Sequence, residues 1–302
     1  MNKRTSFEAG QELLQSTGFD ALWAEVFHPG SPLAFLTAQG LRVAAPVLGA
    51  FTTAAGLNAL ESLAARLYQK TANVPKGLHV IEKNRQLVAT IFAADISQAA
   101  DYGLDEFRQK QMRAELSGTL QDITTQPYVV LLHGTTWNSK YWPEASWVEL
   151  IHLLTQQGWR CLLPWGNEDE RQRAHRLQAA GYEHAQVLPK LSLTELMGVL
   201  LHARAFVSVE SGIGHLAAAI DIPGIMLHGP TDPAYSGILG KACLHLSSGL
   251  YCSPCFKRDC PRLETPGGIP PCQQAITTQQ VFLQFLQTNA EAIAARSDKM
   301  RQ

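Results

Sequence analysis

The stretch YVVLLHGTTWNSKYWP, residues 128–143, changes from apolar to polar within one residue. Val129–Leu132 is a continuous apolar run, which is typical of a strand buried on both faces of a parallel sheet. Small polar residues and Lys140 follow it, and Pro143 with Glu144 is typical of the first turn of a helix. The stretch therefore predicts a strand–loop–helix unit with its polar loop at the carboxyl end of the strand.

The same alternation continues towards the carboxyl terminus, which predicts an α/β fold with a parallel sheet and helices on both faces. In such sheets the ligand crevice lies at the carboxyl ends of the strands. We predict strands at 128–133, 159–164, 185–188, 205–209 and 224–228, helices at 143–157, 168–180, 192–202 and 213–220, and a last helix at 278–296 capped by Thr277 or Thr278.

The first part of the chain has a different pattern. Helical periodicity predicts helices at 7–27, 32–50, 54–68 and 79–94. The word TTQP marks a boundary near 120–127. We therefore predict a largely helical domain over 1–126 and a second domain over 127–302.

Composition narrows the class of protein. The chain has 302 residues, is 46% hydrophobic and 17% charged, and has a formal net charge of −1. This balance predicts folded cores and argues against nucleic-acid binding. The uncharged run Val43–Leu60 is rich in Ala, Gly and Thr, so we interpret it as a packed segment rather than a membrane span. No secretory signal is visible.

Two loops carry residues suited to binding a diphosphate. Thr135 and Thr136 offer hydroxyl and N–H donors, and Lys140 adds a positive charge. An ordinary polar loop is the alternative. Glu210, Ser211 and Gly212 follow a second strand, and His215 lies in the first turn of the next helix, where free N–H groups attract anions. The alternative for His215 is a packing role.

A third loop contains Trp165 and Gly166, and Glu168–Glu170 opens the helix that follows. A carboxylate at this position suits ribose hydroxyls, although acidic residues also stabilise helix amino termini without any ligand. LHGPTDPAYSG, residues 227–237, forms a fourth strand-end loop.

Four of the six cysteines are closely spaced in a loop-rich segment. The pattern C-x2-C-x4-C-x11-C predicts a structural zinc or iron site, with free or bridged thiols as the alternative. Cys161 and Cys243 are interpreted as core residues. The predicted metal ligands are Cys252, Cys255, Cys260 and Cys272.

The four strand-end loops together resemble the lipopolysaccharide heptosyltransferases of glycosyltransferase family 9, with heptosyltransferase I as the nearest branch. The matching words are HGTTWNSKYWPEASW, LPWG, VLPKLSL, SGIGHLAAA and HGPTDP. The resemblance implies the GT-B architecture, in which two Rossmann-like domains face each other. It also implies an inverting transfer of heptose from ADP-heptose to Kdo on lipid A, without a catalytic metal or other cofactor.

The resemblance also implies roles for individual residues. Thr135, Thr136 and Lys140 match phosphate-binding positions, Glu170 matches a ribose-binding carboxylate, and Leu191 matches a position beside the adenine. Trp165 and Gly166 lie in the LPWG word of the same donor site. Ser211, Gly212 and His215 match the helix start on the phosphate side, where Glu210 replaces the family's shorter acid.

The amino-terminal part departs from the family, which begins with a strand and a loop bearing a catalytic aspartate. No such word is present, so we interpret this half as truncated or rebuilt and assign no catalytic base. Asp20 is the nearest candidate. His79, Lys83 and Arg85 lie where the family contacts its acceptor, or else form a solvated helix face.

Several functional alternatives remain at this point. The first is the heptosyltransferase itself, with lipid A as acceptor. The others are a non-catalytic sugar-nucleotide-binding relative, an enzyme of the same family that modifies an autotransporter protein, and a zinc module for nucleic acid, which the neutral charge disfavours. We expect a cytoplasmic location, free or peripheral on the inner membrane, and no transmembrane segment.

Overall fold

The computed structural model describes residues 75, 77–92, 95–98, 100–105, 108–109, 120–121, 126–181, 185–265 and 267–287. The helices predicted at 7–27, 32–50 and 54–68 lie outside these residues, as do Val43–Leu60 and Asp20. The predicted boundary near 120–127 is described only in part and stays a prediction. No helix in the described part of the chain is long and apolar enough to cross a bilayer.

The chain divides into two compact units. The first runs to Leu104 and contains helix α1, Val80–Phe92, which lies within the predicted range 79–94. The second begins at Asp105, leaves out Ala234–Ser236, and contains the sheet.

The sheet confirms the predicted α/β fold. Six parallel strands are ordered β3-β2-β1-β4-β5-β6. The five predicted strands end within one residue of the observed bounds, because most of them are buried apolar runs. The strands are β1 (Tyr128–Leu132), β2 (Arg160–Leu163), β3 (Ala185–Val187), β4 (Ala205–Val209), β5 (Gly224–His228) and β6 (Cys243–Ser247).

The strand order reverses beside β1. From β1 the chain builds outward through β2 and β3, and then returns to the other side of β1 as β4. Leu132 is the register partner of Ser208, so the loops that leave β1 and β4 emerge side by side. Ligands of open α/β sheets bind at such a switch point.

Helices follow the strands as predicted. Helix α4 begins with a capping box in which Ser192 and Glu195 bond to each other's backbone N–H groups. Thr277 caps the last helix, whose described part is 278–287, by accepting a hydrogen bond from Gln280 N at 3.3 Å. The helices are α2 (Glu144–Gln156), α3 (Glu168–Gly181), α4 (Leu193–His202), α5 (Gly212–Ala219), α6 (Pro233–Ser236) and α7 (Pro271–Gln274), with a 3-10 turn at Asn138–Lys140.

The sequence analysis missed strand β6 and the short helices α6 and α7. The sequence of β6, CLHLS, is half-buried at the sheet edge and has no long apolar run, and its alternation covers only Leu244–Ser247, which is the shortest length that indicates a strand. Cys243, predicted to be a core residue, is accordingly half-buried. Cys161 is fully buried, as predicted.

The core fixes the last helix and α2 against the sheet. Trp142 and Trp147 pack edge to face, with ring centroids 5.0 Å apart, and both are fully buried. The indole N–H of Trp142 donates to the carbonyl of Ile276 at 2.8 Å. This bond satisfies a buried donor and anchors the end of the loop that begins at His133.

Candidate functional site

The loops after β1 and β4 meet at the switch point. The Thr135 hydroxyl donates to the backbone carbonyl of Glu210 at 3.2 Å, and both residues are buried. This bond crosses from one loop to the other. The two threonines of the first loop therefore differ, since Thr135 is held in place while Thr136 is exposed.

A partly buried ion pair joins the same two loops. Lys140 Nζ lies 3.1 Å from Glu210 Oε2, and the side chains are 12% and 9% exposed. The ammonium also lies 4.2 Å from the ring centroid of Trp137, which the Arg258 guanidinium approaches at 5.5 Å. An ammonium has three donors, so it can bond to Glu210 and to an oxygen anion together.

Helix α5 begins beside this ion pair. Ser211 caps the helix by accepting from Gly214 N at 3.2 Å, and Ser211 Oγ lies 3.2 Å from Ser208 Oγ. The first N–H groups of a helix have no partner within the helix, and the helix dipole favours an anion there. Gly212 is exposed, and His215 is half-buried in the first turn.

A second cluster surrounds Glu170. Glu170 Oε2 accepts from Gly166 N at 2.6 Å, and its own backbone N–H donates to Asn167 Oδ1 at 2.9 Å. A Cβ on Gly134 would lie 2.6 Å from the carboxyl carbon of Glu170, so a larger residue at 134 would displace this carboxylate. The carboxylate thus closes its own loop, and its predicted contact with ribose stays a prediction.

Trp165 is held beside this cluster. Its indole N–H donates to the Leu188 carbonyl at 2.7 Å, and Lys190 Nζ lies 4.8 Å from its ring centroid while bonding to the Gly166 carbonyl. Leu191, predicted to lie beside an adenine, is the half-buried neighbour of Lys190. The structure places it in the loop after β3, the strand next to the one that carries Trp165.

Two buried histidines lie at strand ends. Burial lowers the pKa of His133 to about 4, helped by the nearby charge of Arg173. Burial also lowers the pKa of His228 to about 3, while the Glu210 carboxylate opposes this shift. Both imidazoles are therefore neutral at physiological pH.

The cysteine segment is hydrogen-bonded to two of the strand-end loops. We call residues 250–262 the knuckle. The Ser139 hydroxyl donates to the Lys257 carbonyl at 2.6 Å, and Ser139 N donates to the Arg258 carbonyl at 3.0 Å. The Pro230 carbonyl accepts from Cys255 N at 2.9 Å and Phe256 N at 2.8 Å. The knuckle therefore holds the loops after β1 and β5.

The described residues do not support the predicted metal site. No group of three or more described His, Cys, Asp or Glu side chains is arranged to hold a metal ion. The pKa of Cys272 is raised to about 11 by burial and then by Cys255, Cys260 and Cys252, so the four thiols lie within electrostatic range of one another. The four cysteines therefore lie near one another, as their spacing predicts, but their thiols are not arranged as the ligands of a metal ion.

Helix α1 keeps its basic residues half-buried. Arg85 donates to Glu82 Oε1 at 2.9 Å and to the carbonyl of Gln98 at 2.5 Å, and burial lowers the pKa of Lys83. His79 Nδ1 accepts from Ile81 N at 3.2 Å. These contacts differ from those of a solvated helix face, and the predicted acceptor contacts stay a prediction.

Several side chains of the site were not identified from the sequence. The Trp137 ring contacts Lys140, and the Lys190 ammonium contacts the ring of Trp165. Thr231, His228 and His245 form a separate hydrogen-bonded group. A signal was available for Trp137, which is an aromatic residue inside a polar loop, as the predicted Trp165 also is.

Comparisons with known proteins agree with this geometry. Residues 34–265 match the family described as "Glycosyltransferase family 9 (heptosyltransferase)". The lipopolysaccharide heptosyltransferase 1 of Pseudomonas aeruginosa is 45% identical over 213 residues, which are 69% of this chain and 57% of that protein. This chain spans little more than half the length of the curated relatives it matches, 57% and 55% for the first two.

Two solved structures are also similar. One is "E. coli heptosyltransferase WaaC with ADP", with 31% identity, a TM-score of 0.61, and coverage of 84% of this chain and 69% of that one. The other is the same enzyme "with ADP-2-deoxy-2-fluoro heptose", with 34% identity, a TM-score of 0.55, and coverage of 77% and 62%. With the match to the family over 34–265, these likenesses show that the chain belongs to glycosyltransferase family 9, the heptosyltransferase family.

Proposed function

We propose that this protein transfers a heptose from ADP-heptose to a Kdo sugar of the lipopolysaccharide inner core. Family membership and relatives named lipopolysaccharide heptosyltransferase support the reaction class. The observation that carries the proposal is the Lys140–Glu210 pair beside the start of α5, at the switch point of the sheet.

The donor end of the proposal follows from charge. A diphosphate brings negative oxygens that need N–H donors and a nearby cation. Lys140, Thr136 and the first N–H groups of α5 supply these, while Glu210 orients the ammonium. Complexes of WaaC with ADP and with a fluorinated ADP-heptose show that a related protein binds such ligands.

The nucleoside end of the donor suits the Glu170 cluster. Trp165 offers a flat apolar ring, and Leu191 directly follows Lys190, whose ammonium lies 4.8 Å from the ring centroid of Trp165, so we propose that an adenine binds there. The second oxygen of Glu170 is suited to ribose hydroxyls while Oε2 holds Gly166 N. We assign Thr135, Thr136, Lys140, Ser211, Gly212 and His215 to the phosphates, and Trp165, Gly166, Glu170 and Leu191 to the nucleoside.

The proposed reaction also requires an acceptor and a catalytic base. Displacement at the sugar requires that the attacking hydroxyl lose a proton to a base. Asp20 lies outside the described residues, so we name no base. The acceptor we propose is Kdo on lipid A, met by a cytoplasmic protein that binds peripherally at the inner membrane surface.

A transfer assay tests the function. The whole chain is mixed with ADP-heptose and Kdo-bearing lipid A, and the mass of the glycolipid is followed. We expect the mass of one heptose to be added. Binding of ADP-heptose without transfer would instead support a non-catalytic relative, and heptosylation of an autotransporter protein, but not of the glycolipid, would support the protein acceptor.

The cysteine spacing carries a separate proposal, a structural zinc or iron ion at Cys252, Cys255, Cys260 and Cys272. The spacing supports it, whereas the thiol placement does not. Elemental analysis of the dialysed protein decides between them. One equivalent of metal per chain, lost when Cys255 is replaced by serine, would support the site, and a metal content near zero would reject it.

A further inference from the structure

A chain of hydrogen bonds runs from the loop after β5 into the edge strand. Thr231 Oγ1 lies 3.1 Å from His228 Nδ1, and His228 Nε2 lies 3.2 Å from His245 Nδ1. His245 Nε2 lies 3.1 Å from the backbone carbonyl of Ile238. We call Thr231, His228, His245 and this carbonyl the imidazole chain.

The direction of donation in the imidazole chain is fixed at its far end. A carbonyl only accepts, so His245 Nε2 carries a proton and donates it to Ile238. In its neutral form His245 carries this proton alone, so its Nδ1 accepts. His228 is neutral because burial lowers its pKa to about 3.

The remaining bonds follow from these two ring states. His228 must donate from Nε2 to His245, which leaves its Nδ1 as an acceptor. The single hydroxyl proton of Thr231 is then used in the bond to His228. Thr231 is 4% exposed, and to a ligand that contacts it the hydroxyl presents only oxygen lone pairs.

The position of Thr231 connects this chain to the donor site. Thr231 follows β5, which pairs with β4, the strand that ends at the Lys140–Glu210 pair. The charges of Glu210, His215 and Lys140 all affect the pKa of His228, so the imidazole chain lies within electrostatic range of the donor site. The knuckle fixes the loop, because Pro230 accepts from Cys255 N and Phe256 N.

We propose that Thr231 is a specificity-determining residue that accepts a hydrogen bond from a hydroxyl group of the donor's sugar. The inference rests on the proposed function, since it names the part of a sugar nucleotide that lies at the β5 end. A phosphate oxygen has no proton to offer at pH 8 and would be repelled by the Thr231 lone pairs. A sugar hydroxyl has a proton to donate, so Thr231, which follows β5, is suited to the sugar rather than to a phosphate.

The first test reads the proton positions directly. Protein labelled with ¹⁵N in its histidines is studied at pH 8 by long-range ¹H–¹⁵N correlation NMR, with His228→Gln and His245→Gln used for assignment. We expect both rings to carry their proton on Nε2. A proton on Nδ1 of His228 would make Thr231 a donor to the ligand and would overturn the inference.

The second test separates sugar from nucleotide by calorimetric titration with ADP and with ADP-heptose. We expect Thr231→Val to weaken ADP-heptose binding roughly tenfold, since one hydrogen bond is lost, and to change ADP binding less than about twofold. Thr231→Ser, which keeps the hydroxyl, serves as the matched control and should bind ADP-heptose almost as tightly as the unchanged protein.

The outcomes distinguish the inference from the function on which it rests. Equal losses of ADP and ADP-heptose affinity in Thr231→Val would show that the residue serves the nucleotide or the fold, and the inference would fail alone. If the unchanged protein binds neither ligand, the proposed function and the inference fail together.

Discussion

The loops after β1 and β4 and the loops after β5 and β6 lie along one edge of one sheet, yet their polar groups differ in kind. The first pair contains the ion pair Lys140–Glu210 and the start of α5. The second contains the imidazole chain, whose His228 is neutral. Topology therefore predicts a ligand at this edge. We propose that local side chains decide which part of the ligand each section accepts.

The comparison extends to the buried histidines. His133 directly follows β1, and His228 is the last residue of β5. Both side chains are fully buried, and burial lowers the pKa of each. The rings differ in their bonds, since both ring nitrogens of His228 have hydrogen-bond partners. For His133, the Pro164 carbonyl and the Glu144 carboxylate raise the pKa and so oppose the lowering by burial.

The largest expected effect is on stability at low pH. Unfolded imidazoles titrate near about 6.5, whereas His133 and His228 titrate at about 4 and about 3 when folded. Below pH 6.5 the unfolded chain binds protons that the folded chain does not, so the free energy of unfolding falls as the pH falls towards 4. From pH 7 to pH 5 we expect a loss of roughly 4 kcal/mol for both groups together.

Denaturant unfolding at pH 7, 6 and 5 measures this loss. His133→Gln and His228→Gln form a matched pair, and each should remove about half of the pH dependence. A pH dependence as large in both variants as in the unchanged protein would show that neither imidazole is held neutral.

The next effect concerns the charged section. In Lys140→Ala the Glu210 carboxylate, 9% exposed, loses its partner, and we expect a loss of about 2–3 kcal/mol in the free energy of unfolding. ADP affinity should fall roughly tenfold or more, because a charge-assisted bond to phosphate is lost. Calorimetric titration and denaturant unfolding give the two numbers.

A double variant separates binding from stability. Lys140→Met with Glu210→Gln removes both charges and leaves no buried carboxylate, so stability should largely return while ADP affinity stays low. Recovery of ADP affinity in the double variant would show that Lys140 does not bind phosphate.

A smaller effect is expected at Trp137. Its ring lies 4.2 Å from Lys140 Nζ and 5.5 Å from Arg258, and cation–π contacts of this kind contribute about 0.5–2 kcal/mol. We expect Trp137→Leu to weaken ADP binding roughly fivefold by loosening Lys140. Arg258→Ala removes only the second contact and should weaken it less. Equal ADP affinity in the unchanged protein and in both variants would show that the Trp137 ring does not support Lys140 in binding ADP.

The smallest effect tests the knuckle. Ser139→Ala deletes the buried bond to the Lys257 carbonyl, and we expect a loss of about 1 kcal/mol in the free energy of unfolding. Asn138→Ala deletes an exposed bond to Asp259 and should cost less than about 0.5 kcal/mol. If the two variants lose equal stability, the knuckle does not clamp this loop through Ser139.

The two sections also differ in how far the sequence predicts them. Strands β4 and β5 begin and end where the sequence predicts, because each is a buried run bounded by polar residues or Gly and Pro. Lys140, Ser211 and their neighbours were named as candidate binding residues because small polar residues and a cation follow strand ends and match the family's words, with an ordinary polar loop as the alternative. The pairing of Lys140 with Glu210 was not predicted, since it depends on the spacing of two loops.

The imidazole chain could not be predicted from residue types. His228 is the register partner of Ser247, so His245, two positions earlier, lies on the same face of β6 as a diagonal neighbour. That relation exists only once β6 is recognised as a strand, and its short mixed sequence hides it. Strand periodicity alone does not give the register between two strands.

The most direct test of the central claim is to compare the binding of AMP and ADP to the whole chain by calorimetric titration. Because we propose that the second phosphate lies at Lys140 and the start of α5, we expect one ADP bound per chain, at least roughly tenfold more tightly than AMP. Equal affinities for AMP and ADP, or no binding of ADP, would contradict the claim that this edge of the sheet binds a diphosphate.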